Sequence, residues 1–281
     1  MKKITIKAPA KVNLTLDIVE KTRKFHAIKT LVASIDLYDE ITIKDRKDRR
    51  INLTMKGIPM DCETTENNAY IAAKNFMEKF FTMGADIKIV KNIPLSSGLG
   101  GSSADTAGVL KGMKELYELD CDLLPIANNL GSDTAYMLDG GFAVLEGRGE
   151  KITFKQIDTV IYFVILAIEQ GVSARASYAE FDKQKKTYKQ MTDTALKSLE
   201  LKEYEFFKSC VSNHLYNASI ALAPEIITSK NNLIRAGAKS VTMSGSGSSV
   251  IGVFFDKKER DNAYKKLAPL YGENAIKAQT I

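Results

Sequence analysis

The strongest constraint in the sequence lies between residues 85 and 117, where the alternating segment ADIKIVKNI runs into PLSSGLGGSSADTAG and then into a helical pattern. Strict alternation of apolar and polar residues marks a strand with one buried face. Beyond the loop, Val109, Leu110, Met113, Leu116 and Tyr117 recur at i, i+1, i+4, i+7 and i+8, the spacing of one apolar helix face. The stretch 94–108 carries four glycines and four serines at this strand-to-helix junction. The first N–H groups of a helix have no intrahelical acceptors, and the helix dipole adds roughly half a positive charge there. Glycine lets backbone approach an anion closely and serine hydroxyls add donors, so phosphate is the natural occupant. A plain connector with a serine N-cap satisfies the same local pattern, and the rest of the chain must decide between the two.

The familiar phosphate loops are excluded. No Gly-x-x-x-x-Gly-Lys-Ser/Thr occurs, the loop itself carries no lysine, and Ser103 stands where a dinucleotide-binding fingerprint needs its third glycine. Protein-kinase signatures are also absent. Forty Lys and Arg against 34 Asp and Glu give a net charge of +6, spread along the chain. That suits an anionic small molecule and ordinary solubility alike, and nucleic acid is not expected as a partner. Cys62, Cys121 and Cys210 are far apart and form no Cys-x-x-Cys pair, so no disulfide framework or zinc site is expected and a reducing cytoplasm fits. The apolar run VIYFVILAI at 160–168 is about half of the roughly 20 residues a membrane-spanning helix needs. It reads as a buried strand, and no membrane association is expected.

Alternation in ITIKAPAKVNLTLDIV, DEITIK and INLTM predicts several strands in the first 55 residues, and TTENNAYIAAKNFMEKFF predicts a helix started by its Thr and Asn residues. A second pattern follows residue 156: the strand 160–168, helical segments near 188–200, 203–215 and 224–236, a hairpin in KSVTMSGSGSSVIGVFF, a helix in KKERDNAYKKLAPLY and a last strand near AIKAQT. Strand, helices, two strands, helix, strand is the split βαβ, ferredoxin-like order. The expected class is α+β with two domains, 1–155 and 156–281.

Two further segments supply chemistry. In APAKVNL, Lys11 and Asn13 are two apart and share one face of a strand. In NNLGSDTAYML, Asp133 follows a Gly-Ser step between apolar segments, a place for a helix N-cap or for a site carboxylate. Phosphoryl transfer to an alcohol needs a phosphate cradle, a cation for the transferring group and a carboxylate that orients or deprotonates the hydroxyl. The glycine loop, Lys11 and Asp133 offer one of each.

At this point the chain resembles the GHMP kinases, small-molecule kinases named for galactose, homoserine, mevalonate and phosphomevalonate. PLSSGLGGSSA at 94–104 is similar to their phosphate-loop motif and SGSGSS at 244–249 to their third, glycine-rich motif. Within the superfamily, APAKVNLTLDI, FHAIKTL, SIDLYDEITI, KNIPLSSGLGGSSADTA, GSDTAYML, EGRGE and GVSARASY resemble, in order and spacing, the branch that phosphorylates 4-diphosphocytidyl-2-C-methyl-D-erythritol in the non-mevalonate isoprenoid pathway. The resemblance implies an N-terminal domain of the ribosomal protein S5 domain 2-like type and a ferredoxin-like C-terminal domain. It implies ATP with Mg²⁺, Lys11 and Asp133 as the catalytic pair, and an ATP phosphate loop of Pro94, Leu95, Ser96, Ser97, Gly98, Leu99, Gly100, Gly101, Ser102, Ser103 and Ala104. Asn67 is a further expected nucleotide contact and Ser103 an expected metal ligand. Phe25, His26 and Tyr178 fall where the family holds the cytosine ring, and Asn13 falls near the diphosphate and polyol; His214 is expected to be structural. A monomer or homodimer acting on a small molecule in the cytoplasm is implied.

The chain departs from the family at three places. Arg23, Lys24, Phe25 and His26 replace Asp-Gly-Tyr-His, Gly131 to Ala135 replace Gly-Ala-Asp-Val-Pro, and Ser102 interrupts a glycine triplet. These departures leave open a kinase for another small alcohol, or a silent paralogue that binds a nucleotide or metabolite.

Overall fold

The structure is a computed structural model that describes residues 2–22, 25–57, 63–131, 133–184 and 187–281. Arg23, Lys24, Cys62 and Ser132, singled out above, lie outside the described residues. In chain order the strands are β1 (Lys3–Asn13), β2 (Thr15–Lys21), β3 (His26–Asp45), β4 (Ile51–Lys56), β5 (Ala85–Val90), β6 (Phe142–Gly147), β7 (Lys151–Lys155), β8 (Tyr162–Leu166), β9 (Ser212–Asn213), β10 (Ser240–Met243), β11 (Val250–Phe254) and β12 (Ala275–Gln279). The helices are α1 (Asn68–Lys79), α2 (Gly101–Leu116), α3 (Leu124–Ala127), α4 (Thr134–Asp139), α5 (Ala174–Phe181), α6 (Thr192–Glu200), α7 (Tyr204–Cys210), α8 (Tyr216–Leu222), α9 (Glu225–Ala236) and α10 (Lys257–Tyr271). The α+β class follows directly. Contacts gather the chain into two compact units, each assembled from separate segments: Met1–Ala10, Leu37–Leu95 and Gly100–Gly140 in the first, Lys11–Asp36, Ser96–Leu99 and Gly141–Ile281 in the second.

In the first unit, β5 runs antiparallel to the later half of β3, with Glu40 opposite Val90 and Asp45 opposite Ala85, and β4 runs parallel to β5. Two parallel neighbours need a crossover, and α1 provides it. Its start is the expected one: Asn67 caps it, Oδ1 accepting from Ala69 N at 2.9 Å. Helix α2 packs on the sheet through a small-residue seam. A Cβ on Gly108 would stand 2.5 Å from Ile41 Cδ1, and one on Gly112 2.6 Å from Ile43 Cδ1. The helix therefore lies closer to the sheet than any larger residue allows, and Val109, Leu110, Met113 and Leu116 are buried around it.

In the second unit, β2 and β6 flank the early half of β3, both antiparallel, and β7 returns along β6. The short β9 adds to β2 in parallel, Thr15 opposite Ser212 and Leu16 opposite Asn213. A separate antiparallel sheet has the order β10-β11-β8-β12. With α9 before β10 and α10 before β12, this is the ferredoxin-like order expected from the sequence. The run 160–168 contains β8, one of its two interior strands, and Val164, Leu166, Leu233, Phe254 and Leu267 pack in its core. The helical expectation for 203–215 is shortened to α7 because residues 212 and 213 pair with β2 instead of continuing the helix.

Candidate active site

The second unit places Lys11, Asn13, part of the glycine loop and the 244–249 motif together. Lys11 and Asn13 are each only 4% exposed. Lys11 Nζ donates to Asn13 Oδ1 at 2.6 Å, and the same oxygen accepts from Gly245 N at 2.9 Å. The glycine loop is tied to β1 through Lys11 N, which donates to Leu99 O at 2.9 Å. Ser244, fully buried, joins the pieces: its Oγ accepts from Asn13 N at 3.2 Å and donates to Gly98 O at 2.9 Å. Ser249 N donates to Ser97 O at 3.1 Å. Glycine at position 98 is required twice over, by its φ of +78° and because a Cβ there would lie 2.0 Å from Ser244 O. A Cβ on Gly245 would be 3.6 Å from Lys11 Nζ, so the ammonium sits directly against this second glycine-rich turn. Asn213 braces the turn from β9, Nδ2 donating to Met243 O and to Gly245 O, both at 2.8 Å.

The rest of the loop and Asp133 belong to the first unit. Gly100, at φ +77°, leads into α2, whose start has no side-chain cap. The serine N-cap alternative is thereby set aside, and the first N–H groups are left for another acceptor. Ser102 O accepts from Thr106 Oγ1 at 2.7 Å within the helix. Asp133 occupies the N-cap position of α4, yet its carboxylate makes no capping bond. The Gly131 turn before it lies beside Ser103, whose Oγ would be 3.5 Å from a Cβ on Gly131. Thr134 Oγ1, next to Asp133, is buried with no hydrogen-bond partner among the described residues. Asn67 spends its acceptor on the α1 cap and donates from Nδ2 toward Met55 Sδ at 3.6 Å.

Beneath the start of α2 lies a buried charge cluster that sequence reading missed. Lys91 Nζ bonds Asp39 and, at 2.6 Å, Asp105 Oδ2, and all three residues are at most 4% exposed. Asp39 Oδ1 also accepts the N–H groups of Asn92 and Ile93, at 2.6 and 2.8 Å. Asp105 has no such backbone donors, and its Oδ1 is buried without a partner. One ammonium cannot compensate two desolvated carboxylates, so the less well-held one retains a proton. Burial, together with the charge on Asp39 and against the pull of Lys91, pushes the Asp105 carboxyl up to about 7.

The expected base-binding residues also meet, in the second unit. The His26 and Tyr178 rings stack at 4.9 Å and 17°. His26 Nε2 lies 2.7 Å from Asp182 Oδ1, and because a carboxylate only accepts, Nε2 carries the hydrogen. Burial acts to raise the Asp182 carboxyl, but hydrogen bonds from Lys21 and His26 outweigh it and hold it below the ordinary carboxylate range. Phe25 is 38% exposed, with the Arg148 guanidinium 5.8 Å from its ring centroid. His214 is structural as expected: Nδ1 accepts from Ile18 N at 2.9 Å, so the ring is neutral with its hydrogen on Nε2, which faces Lys189 O at 3.1 Å and Asp17 Oδ1 at 3.3 Å. Among the described residues no three His, Cys, Asp or Glu side chains gather as a metal cage, and no helix is long and apolar enough to cross a membrane.

The chain matches the family model described as GHMP kinases N terminal domain over residues 67–145 and that described as GHMP kinases C terminal over 195–273. A 4-diphosphocytidyl-2-C-methyl-D-erythritol kinase of Acetivibrio thermocellus is 34% identical over 278 residues, covering 95% of each chain. One of Clostridium beijerinckii is 35% identical over 272 residues, covering 95% of this chain and 96% of the relative. A crystal structure of a 4-(cytidine 5'-diphospho)-2C-methyl-D-erythritol kinase superposes with a TM-score of 0.84 at 27% identity over 98% of both chains. A homoserine kinase from Cytophaga hutchinsonii shares the fold, with a TM-score of 0.76 at 19% identity over 100% of this chain and 95% of its own. Fold and sequence together define a small-molecule kinase of the GHMP class. The chain belongs to the 4-diphosphocytidyl-2-C-methyl-D-erythritol kinase family.

Proposed function

We propose that this chain transfers the γ-phosphate of ATP to the 2-hydroxyl of 4-diphosphocytidyl-2-C-methyl-D-erythritol, in the cytoplasm and as a monomer or homodimer. The observation that carries the reading is the placement of Lys11, an almost fully buried ammonium held by Asn13 against a glycine-rich turn. Residues 94–104 take the ATP phosphates, the uncapped start of α2 supplying N–H donors, and Asn67 contributes to nucleotide binding. Asp133 accepts the hydroxyl proton as the new O–P bond forms and the bond to ADP breaks, and Lys11 offsets charge on the transferring group. Ser102 and Ser103 at the start of α2 offer hydroxyls, and no carboxylate cage forms among the described residues, which suits a Mg²⁺ that takes most of its ligands from phosphates and water. Ser103 is the residue that would hold it, and the ion would neutralise phosphate charge. Phe25, His26 and Tyr178 hold the cytosine, the base extending the existing His26–Tyr178 stack, and Asn13 lies near the diphosphate and polyol. The two family domains are assigned to 1–155 and 156–281, and one family match falls on each side of that boundary.

A second reading, a kinase for another small alcohol, draws on the same stack, because His26 and Tyr178 leave no space for a ring between them. Coupled ADP release with the cytidyl substrate beside a panel of small alcohols decides. Turnover of the cytidyl substrate is expected; turnover of another alcohol alone moves the assignment to the second reading, and no turnover of any moves it to a silent paralogue.

A further inference from the structure

An asparagine amide has two ends of similar shape and opposite chemistry, an oxygen that only accepts and a nitrogen that only donates. If the Asn13 amide were flipped, it would point N–H groups at the Lys11 ammonium. Two neighbours forbid the flip: the Gly245 N–H, which can only donate and so needs Oδ1, and Thr30, on β3 and 1% exposed, which fixes the other end of the amide. A hydroxyl has one hydrogen, and that of Thr30 is given to Thr15 O. Toward Asn13 its oxygen can therefore only accept, and it does so from Nδ2 at 2.8 Å. With the nitrogen fixed there, Oδ1 must face Lys11 Nζ at 2.6 Å and Gly245 N at 2.9 Å.

We propose that Thr30 is a positioning residue for phosphoryl transfer, its hydroxyl setting the Asn13 amide and, through it, the Lys11 ammonium. The inference rests on the kinase reading above and goes beyond it, since Thr30 acts through Asn13 and is given no role in that reading. Thr30→Val keeps the shape and removes the hydroxyl, whereas Thr30→Ser keeps the hydroxyl.

The test is coupled ADP release with ATP and the cytidyl substrate, with melting temperatures taken alongside. Thr30→Val is expected to lower kcat by about 10- to 100-fold while both KM values stay within about threefold, because the group it misplaces acts on the transferring phosphate. Thr30→Ser should restore kcat to within about threefold of wild type. In a Lys11→Met background Thr30→Val should cost less than about twofold, because no ammonium remains to be positioned. Should Thr30→Val not fold, Thr30→Ala against Thr30→Ser makes the same comparison. Equal loss in the valine and serine variants, or a full additional loss in the Lys11→Met background, overturns the proposal in favour of a general packing role. Wild-type turnover that Thr30→Val leaves unchanged overturns the proposal alone, whereas a wild type that fails to turn over the cytidyl substrate overturns the kinase reading and the proposal with it.

Discussion

Replacing Asp105 by asparagine should make the protein more stable relative to wild type as the pH rises. In the folded state burial beside Asp39 raises the Asp105 carboxyl from its ordinary 3.8 to about 7. Between those values the folded chain keeps a proton that the unfolded chain has released. Stability from this group is thus fully present below pH 3.8 and is lost as the pH rises through about 7. At 1.36 kcal/mol per pH unit, the wild type should lose about 2–3 kcal/mol from this residue between pH 5 and pH 8. The asparagine side chain does not titrate, mimics the protonated acid in shape, and can still accept from Lys91 through its carbonyl oxygen. The stability difference, variant minus wild type, should therefore rise by about 2–3 kcal/mol across that range, whatever its value at pH 5. Urea denaturation followed by circular dichroism at pH 5, 6, 7 and 8 measures it, and the other titrating groups cancel in the difference. A difference that stays flat to within about 1 kcal/mol, or falls with pH, would refute the argument that one ammonium cannot hold two buried carboxylates ionised.

Lys91→Met should cost about 3–5 kcal/mol in the same denaturation assay at pH 8, since it leaves both carboxylates buried without a cation. Gly98→Ala should destabilise by at least ~2 kcal/mol, combining a left-handed backbone with overlap on Ser244 O, and should raise the KM for ATP. Asp133→Asn should lower kcat by about 10²- to 10⁴-fold while nucleotide affinity by calorimetry stays within about threefold; near-wild-type turnover would remove Asp133 from the base role. Tyr178→Ala should raise the acceptor KM about tenfold, a loss of about 1–1.5 kcal/mol, and leave that for ATP unchanged, because the proposed cytosine site is built on its stack with His26.

Much of the architecture was legible because it rests on periodicity. The alternation before residue 94 and the apolar face after it gave β5 and α2, and the order of segments after 156 gave the ferredoxin-like sheet. The β6–β7 hairpin was missed because GGFAVLEGRGEKITFK is broken by glycines and ends half-exposed. β3 was read in pieces because its pattern changes from burial on both faces to burial on one along its length. In the site, Lys11 and Asn13 were visible because two residues apart on a strand means one face. Thr30 and Asn213 were not, since a lone hydroxyl or amide in a strand looks the same whether it faces water or a buried partner, and Ser244 was visible only as part of the 244–249 motif. Asp39, Lys91 and Asp105 were hidden for a related reason: charge in a sequence normally signals solvent, and only the fold shows that these three meet in the interior.

The bonds around Asn13 join residues 231 and 232 positions apart. During synthesis Asn13 leaves the ribosome 231 residues before Ser244 and 232 before Gly245. Closing a loop of that length costs ~5 kcal/mol beyond a constant in chain entropy alone, so these contacts form late and only when many others form with them. A prematurely ended chain can complete hairpins and helices, yet it has no cradle for its lysine. A chain halted before Ser244 therefore lacks the partners that orient Asn13 and the turn against which Lys11 sits.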